Sequence, residues 1–525
     1  MASYEIQWIS KASASQRAGR AGRTGPGHCY RLYSSAAYGK DKLFPEFSEP
    51  EIKKVELDGV VLMLKFKGID ESKFPFPTPP NEESLVEAGH SLKAVKALDN
   101  HGKITPLGEA MVQYPMSPRH SRLLLTIIKI LKSQKGFARP NFILGYAAAA
   151  ASALSSPNPF LMQNEFSCEP KEHNPDSYDQ DQQERNRQKN KLKAMIRDSH
   201  AKFINPSSDA LTIAHALRLF ELSENTVEFC RSNSLHLKTM EEMSKLRKQL
   251  LRLIFHHSKS CEEFSWKFGG DEDVEEAWRS QSDKNPMQLI EEEILGEGIC
   301  AGWADRVAKR ICTLSASSKD AMKVQAVRYQ SCALSDTIYL HQSSSAAQIA
   351  PDFVVYSELI NKNRPWMHGV TSVKPSWLLK YASSLCTFSA PLKDQEMFYD
   401  PKEDQVYCFV RPIFSQHNWQ LPLHCLPVKD GSIRSKVFAC ALLKGDVLPC
   451  LKEAREFLSL SPSAVLGPVI HRKVGDLLSR MKSGQKLIDS RAALRDEWNR
   501  YPEFLYPEIK ACFRISFAAS SEYYG

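Results

Sequence analysis

Residues 16–23 read Gln-Arg-Ala-Gly-Arg-Ala-Gly-Arg, and their types and spacing suit phosphate chemistry. On a helix that advances about 100° per residue, Gln16, Arg20 and Arg23 share one face within roughly 60°, and Arg17 points elsewhere. Guanidinium groups are planar, permanently charged and forked, so they clamp phosphate oxygens. One amide and two guanidiniums on a face therefore predict a site for a triphosphate whose charge builds on its terminal oxygens.

Two glycines separate the arginines of this segment. Gly19 and Gly22 lie three residues apart and predict a bare strip that another backbone or a ligand can approach. The alternative is a basic helix face that is merely solvated, which is the usual interpretation of a generic Arg/Gly-rich run. The full octapeptide with its helical phasing favours the nucleotide site.

The octapeptide is preceded by WISKASAS and followed by TGPGHCYRLYS. With these flanks it resembles motif VI of the DEAH-box RNA helicases, which lies in the second RecA-like domain and faces ATP bound by the first. The resemblance implies that Gln16 and Arg20 approach the γ-phosphate and that Arg23 completes a pair of arginine fingers. It implies structural hydrogen bonds for Arg17, and ATP with Mg²⁺ as the cofactor of the complete helicase.

The phosphate-binding partners of this motif are missing from the sequence. It contains no G-x-x-x-x-G-K-[ST] loop and no Asp-Glu-x-His box to hold Mg²⁺. The arginines are thus expected to form half of an ATP site. Two explanations stay open: the C-terminal portion of a longer helicase, or a truncated relative. In both cases the chain alone is expected to lack ATPase activity.

Composition sets broad limits on the class of protein. A length of 525 residues predicts roughly three to four domains, and the net charge of +8 is compatible with RNA as a partner. The thirteen cysteines form no Cys-x-x-Cys pair, which argues against zinc and against a disulfide framework, so no metal site is expected. The apolar run 146–154 is too short to span a bilayer and predicts a core helix instead.

The patterns along the chain, with the resemblance, predict a multidomain fold that is mainly α with α/β and β parts. The expected domains are the end of a RecA-like domain with motif VI (1–34), a winged helix (35–115), a helical ratchet bundle (116–300), an OB-like β-barrel (301–395) and a C-terminal α+β extension (396–525).

Periodicity predicts several individual elements. Alternation around Tyr30 and Leu32 predicts a strand, and the apolar spacing of 84–100 predicts an amphipathic helix. Apolar helices are expected at 122–132 and 142–153. The polar stretch 165–200 predicts an exposed or disordered insertion with little core.

Short strands separated by turns at residues 329–370 predict a small barrel. OB barrels bind single strands with basic and aromatic side chains on an exposed face. The candidate RNA-binding residues are Arg328, His341, Lys362 and Arg364. For His341 a structural role is the stronger alternative, and Tyr329 is expected in the barrel core, as is Tyr356.

The C-terminal run Trp498-Asn499-Arg500-Tyr501-Pro502 resembles the appended domain of one helicase branch, which acts in small-subunit ribosome biogenesis. The resemblance implies an ATP-dependent RNA helicase (an NTP hydrolase) that acts on pre-rRNA and its associated snoRNA. It also implies that the protein is located in the nucleus, within the nucleolus. Pre-ribosomal proteins or a helicase activator are the implied protein partners, and no membrane is involved. The main alternative is a non-catalytic RNA- or protein-binding module. A winged-helix DNA-binding regulator is a weaker one, because it leaves the octapeptide and the barrel unexplained.

Overall fold

Two units, Met1–Ser384 and Leu385–Gly525, divide the chain in the computed structural model. The structure describes residues 8–39, 43–133, 136, 139–161, 180–257, 262–280, 286–311, 326–361, 364–392, 394–467, 471–482 and 487–514. Within these residues no helix combines the length and apolar character that a bilayer crossing requires.

The first unit is mostly helical. Its α-helices are α1 (Lys11–Ala18), α2 (Ser35–Tyr38), α3 (Asp58–Phe66), α4 (Glu82–Ala94), α5 (Pro106–Val112), α6 (Pro118–Ser133), α7 (Pro140–Ser155), α8 (Gln180–Ala201), α9 (Asp209–Leu222), α10 (Thr226–Ser232), α11 (Leu237–His257), α12 (Asp271–Arg279), α13 (Leu289–Gly302) and α14 (Pro375–Tyr381).

The helix α7 lies at the centre of the helical bundle. It packs against α6, α9, α11 and α12, and its alanines 147–151 are fully buried, which confirms the predicted core helix. Small side chains allow the close approach: a Cβ on Gly145 would lie 3.0 Å from the Trp278 ring. Helices α6 and α7 also confirm the predictions for 122–132 and 142–153.

The predicted helix 84–100 is shorter in the structure. It ends at Ala94 as α4, and a bridge between Leu98 and Ile104 follows it. This bridge and helices α3 to α5 supply the helices and short β element expected of a winged helix. Positive φ at Lys96 (59°) turns the chain after α4, which ends the helical periodicity.

The strand predicted around Tyr30 and Leu32 is wrong. The structure gives these residues no strand, and their side chains are 87% and 101% exposed. A strand needs a neighbouring strand for its backbone hydrogen bonds, and none of the described residues pairs with this segment. Alternation of side chains alone cannot supply that partner.

The described part of the polar stretch 165–200 is helical. Residues 180–201 form α8, while 162–179 lie outside the described residues. The end of α8 is anchored, because the His200 ring packs edge-on against Phe160 at 4.7 Å. The composition rich in Gln, Lys and Arg is compatible with a helix that buries little surface.

A seven-stranded sheet closes the first unit. Its strands are β1 (Val307–Arg310), β2 (Arg328–Ser331), β3 (Thr337–Leu340), β4 (Phe353–Val355), β5 (Glu358–Asn361), β6 (Pro365–His368) and β7 (Thr371–Ser372), in the order β5-β6-β3-β2-β1-β4-β7. The pairing is antiparallel except between β3 and β6. Tyr329 and Tyr356 lie in the core of the sheet, as predicted.

The second unit combines two small sheets with helices. Its strands are β8 (Cys386–Phe388), β9 (Phe398–Asp400), β10 (Gln405–Val410), β11 (Pro412–Phe414), β12 (Trp419–Gln420) and β13 (His424–Pro427), and its helices are α15 (Gly431–Lys444), α16 (Cys450–Glu453), α17 (Arg472–Lys482), α18 (Arg491–Arg500) and α19 (Tyr506–Ala511). The strand orders are β13-β10-β9 and β12-β11-β8. An α+β unit was expected for this part of the chain.

Candidate nucleotide and RNA sites

The helix α1 presents the arginine segment from a fixed base. The Ser10 hydroxyl caps the helix by accepting a hydrogen bond from the Ser13 amide (3.1 Å). The Lys11 amide donates to the Pro45 carbonyl at 2.8 Å. Fully buried Phe44 packs against the rings of Trp8, Tyr33 and Tyr38, at centroid distances of 4.7–5.5 Å. These contacts hold the start of α1 against residues 44–46.

The arginines do not share one helical face, which corrects the sequence prediction. Helix α1 ends at Ala18 with Gly19 as its C-cap, so Gln16 lies on the last turn of the helix. Arg20 and Arg23 lie beyond the helix end, in turn and bend conformations. The two glycines explain the early end, because glycine is unfavourable in a helix interior by about 1 kcal/mol relative to alanine.

Residues 19–27, here called the Arg-Gly turn, fold back on themselves. A Cβ on Gly27 would lie 2.0 Å from the Ala21 carbonyl oxygen, so only glycine permits this approach. The outer side of the turn is open: a Cβ on Gly22 would meet nothing within 4 Å. The bare strip predicted at Gly19 and Gly22 is therefore compatible with the structure.

The three candidate side chains of this segment face solvent. Gln16, Arg20 and Arg23 are all exposed, and their side chains make no hydrogen bond or ion pair with other described residues. Two guanidiniums beside an open glycine backbone can bind an anion with several oxygens. The described residues contain no group of three His, Cys, Asp or Glu placed to hold a metal ion.

The seven-stranded sheet brings other candidates together. The register places Arg328 on β2 opposite Tyr339 on β3, and Tyr339 opposite Trp366 on β6. The Arg364 guanidinium lies 5.2 Å from the Tyr339 ring, and the Tyr339 and Trp366 rings are 5.6 Å apart. We call Arg328, Tyr339, Arg364 and Trp366 the sheet-face row.

The other two sequence candidates have different positions. His341 borders the sheet-face row, with its ring 5.4 Å from Trp366 and 5.5 Å from His368. Its Nδ1 also hydrogen-bonds the Ser343 hydroxyl at 2.6 Å, as a structural residue would. Lys362 lies outside the described residues.

Sequence reasoning missed Tyr339 and Trp366. The signal for Tyr339 was present in the alternation along β3, where Ile338 and Leu340 are buried and Tyr339 is only partly so. Trp366 had no such signal, because its pairing with β3 is parallel and joins segments distant in sequence. Only the register makes it a neighbour of Tyr339.

A buried ion pair supports the sheet at its first strand. Arg119 on α6 is 4% exposed and donates two hydrogen bonds to the Asp305 carboxylate, at 2.6 and 2.8 Å. The same guanidinium donates to Ser91 Oγ on α4 (3.0 Å). Burial alone would raise the pKa of Asp305, but the hydrogen bonds and charge of Arg119 outweigh it and lower that pKa. The pair thus joins α4 and α6 to the start of β1.

Asp209 makes a second connection between the bundle and the sheet. Its Oδ1 accepts hydrogen bonds from the Ser345 amide (2.8 Å) and hydroxyl (2.7 Å) and from the Ser344 hydroxyl (2.9 Å). Its Oδ2 accepts one from the Val370 amide (2.8 Å). These contacts fix the loop that follows His341, so they also fix one border of the sheet-face row.

Comparison with known families gives three successive matches. Residues 90–116 match the winged-helix part of the helicase associated domain (HA2), and residues 117–213 match its ratchet-like part. Residues 295–385 match the oligonucleotide/oligosaccharide-binding (OB) fold. The matches agree with the succession of α4–α5, helical bundle and sheet seen in the structure.

Curated relatives extend the similarity to both units. The chain is 50% identical to ATP-dependent RNA helicase DEAH13 of Arabidopsis thaliana, over 98% of this chain and 41% of the relative. It is 28% identical to probable ATP-dependent RNA helicase DHX37 of Homo sapiens, over 97% of this chain and 42% of the relative. Probable ATP-dependent RNA helicase DHR1 of Saccharomyces cerevisiae is 31% identical over 78% of this chain and 33% of the relative.

The chain thus spans about two fifths of the length of the first of these relatives. Its similarity covers the described helical, sheet and C-terminal regions together. The chain is a homologue of the DEAH-box ATP-dependent RNA helicases, and it contains their winged-helix, ratchet-like and OB-fold domains.

Proposed function

We propose that this chain supplies the arginine half of the ATP site of an RNA helicase. The observation that carries the proposal is the position of Arg20 and Arg23, exposed on an open turn that is anchored at its base by α1. A phosphate loop and an acidic Mg²⁺ site would come from another part of the complete helicase. Exposed apolar side chains flank this segment in the chain, among them Trp8, Tyr30 and Leu32, and they support a surface that another domain covers.

The residues present fit the terminal phosphate of ATP and do not fit its metal. Arg20 and Arg23 would bind γ-phosphate oxygens and Gln16 would add an amide hydrogen bond. When bound, ATP with Mg²⁺ supplies the phosphoanhydride bond whose hydrolysis drives the helicase. The guanidiniums would stabilise the charge that gathers on the γ-phosphate oxygens.

The sheet-face row is our proposed RNA surface in the first unit. It combines two guanidiniums with two partly exposed aromatic rings, the combination that binds single-stranded nucleic acid without sequence preference. The OB-fold match to these residues supports the assignment. His341 borders this surface, and Asp209 holds its loop in place.

We further infer that the RNA is pre-rRNA, with its snoRNA, in small-subunit assembly in the nucleolus. The similarity of the second unit to the same relatives supports this branch. Pre-ribosomal proteins or an activator of the helicase are the protein partners that this role would require. A non-catalytic RNA-binding module is the second candidate, favoured by the absence of a phosphate loop from the sequence.

The arginine assignment is tested by Arg20→Ala in the complete helicase. We expect RNA-stimulated ATP hydrolysis to fall by about a thousandfold or more, with RNA affinity unchanged, because a finger contacts phosphate only. Arg17→Ala is the matched control, since Arg17 is equally exposed but belongs to α1. Near-normal hydrolysis in Arg20→Ala would refute the assignment. ATP hydrolysis by the 525-residue chain alone would refute the half-site.

A further inference from the structure

The sheet β13-β10-β9 of the second unit has one buried and one open face. The buried face contributes Tyr399, Val406, Cys408 and Val410 to a core that includes Phe438 of α15. On the open face stand Phe398, Tyr407 and Phe409, which we call the aromatic triad. Strand alternation requires this separation, because neighbouring residues of β10 point to opposite faces.

The triad forms a continuous aromatic surface on adjacent strands. Tyr407 and Phe409 are two residues apart on β10, the central strand, and Phe398 on β9 lies opposite Tyr407. The Phe398 ring is 6.0 Å from Tyr407, stacked with it, and 5.5 Å from Phe409. Phe398 is 38% exposed, and Tyr407 and Phe409 are partly exposed. None of the three rings belongs to the buried core of this unit.

Positive charge flanks the two ends of the triad. Exposed Arg411 directly follows the end of β10, and exposed Lys429 lies two residues beyond β13. The strands are antiparallel, so these two cations stand at opposite ends of the sheet. From Gln405 to Arg411 the backbone advances about 20 Å, at roughly 3.3 Å per residue, which is room for two or three stacked bases.

We propose that the aromatic triad binds single-stranded RNA by stacking on its bases, with Arg411 and Lys429 contacting the flanking phosphates. Aliphatic side chains on this face would bind an apolar protein partner equally well, so the choice of aromatic rings favours nucleic-acid bases. Rings at alternate positions of a central strand, with a third on its neighbour and cations at both ends, match the geometry of base-stacking sheets. This second RNA site lies in a different unit from the sheet-face row and requires no ATP.

The test compares ring-deleting variants of the 525-residue chain. Tyr407→Leu and Phe409→Leu keep apolar side chains on the sheet but remove the stacking surface. For each we expect the dissociation constant for a short oligouridine to rise about tenfold. Tyr506→Leu is the matched control, since Tyr506 is 60% exposed in the same unit but lies on α19. Its affinity should stay that of the unmodified chain.

A second measurement does not depend on the folding of variants. Ultraviolet crosslinking of oligouridine to the unmodified chain should label the peptides that contain Phe398, Tyr407 or Phe409. Crosslinks confined to residues 326–368, or unchanged affinity in folded Tyr407→Leu and Phe409→Leu, would overturn the proposal and leave the face to a protein partner. Arg364→Ala distinguishes the two sites. If this variant binds RNA more weakly but still crosslinks through the aromatic triad, Arg364 contributes to the sheet-face row and the triad binds RNA independently.

Discussion

At the residue scale, burial has tuned the ionisable groups around the Arg119–Asp305 pair. His120, next to Arg119 on α6, packs edge-on against Trp303 at 5.1 Å and shares a hydrogen bond with the Ser117 hydroxyl (3.0 Å). Burial, reinforced by the charge of Arg119, lowers the pKa of His120 to about 4. His120 is therefore neutral in the folded protein at physiological pH.

This lowered pKa predicts acid sensitivity of the first unit. In the unfolded chain His120 takes up a proton near pH 6.5, whereas in the folded chain it does so only near pH 4. The contribution of neutral His120 to the free energy of unfolding is therefore fully present above pH 6.5. It decreases as the pH falls towards 4, by up to about 3 kcal/mol. His120→Asn should flatten that decline, because asparagine does not titrate.

Urea unfolding at neutral pH and at a pH between those two values provides the measurement. The unmodified chain and the control His101→Asn, which changes an exposed histidine, should lose the same stability on acidification. An equal loss in His120→Asn would show that other groups carry the pH dependence.

Residue types indicate the phosphate-binding candidates, but the sequence alone does not predict where these side chains lie in the structure. Gln16, Arg20 and Arg23 were selected from composition, spacing and resemblance, and their exposure fits that choice. Their assumed helical phase was wrong because α1 ends at Ala18. The contact between Gly27 and Ala21 that shapes the turn depends on backbone conformation, which residue types alone do not specify.

At the element scale, glycines set how closely helices approach. Helices α6 and α13 cross where a Cβ on Gly298 would lie 2.4 Å from Ile127 Cγ1 and 3.3 Å from the Leu123 carbonyl oxygen. This crossing connects the helical bundle to the sheet, because α13 packs against α6 and is followed in the chain by β1. A side chain at this position must displace Ile127.

Gly298→Ala is therefore expected to destabilise the chain, by about 1–3 kcal/mol, through overpacking. Ile127→Ala should cost about 2–5 kcal/mol by itself. The double variant should cost less than the sum, since each change accommodates the other. Thermal or urea unfolding of the four proteins measures the coupling.

Gly89→Ala in α4 is the matched control. A Cβ there meets nothing within 4 Å, so helix propensity should stabilise the chain by up to about 1 kcal/mol. Destabilisation of equal size at both glycines would contradict the packing explanation.

Long apolar helices were the elements that sequence predicted well. Apolar periodicity located α6 and α7, and the structure extends each by a few residues, back to Pro118 and Pro140. Pairing between distant segments was not predictable, since the parallel contact of β3 with β6 leaves no local trace. The strand predicted near Tyr30 failed for the same reason: strands are defined by partners.

At the scale of the whole molecule, charge and aromatic surface should act together in RNA binding. We expect the chain to bind single-stranded RNA weakly and with strong salt dependence, because phosphate contacts release counterions. Arg364→Ala should weaken binding and reduce the slope of log affinity against log salt by about 0.7. Arg364→Lys should retain the slope, since lysine keeps the charge.

Fluorescence anisotropy across a salt series provides this measurement. Arg279→Ala is the control, because Arg279 is an exposed cation on α12, away from the sheet. An unchanged slope in Arg364→Ala would remove this residue from the RNA surface.

The hydrogen bonds of Asp209 have a consequence for any exchange of domains between relatives. The carboxylate on α9 is satisfied by donors from the loop 344–345 and from Val370, both in the OB-fold region. A chimaera that replaced the sheet alone would leave this carboxylate without donors unless the incoming loop also carried them. A functional chimaera should therefore exchange the helical bundle and the sheet together, although the two regions match two separate domain families.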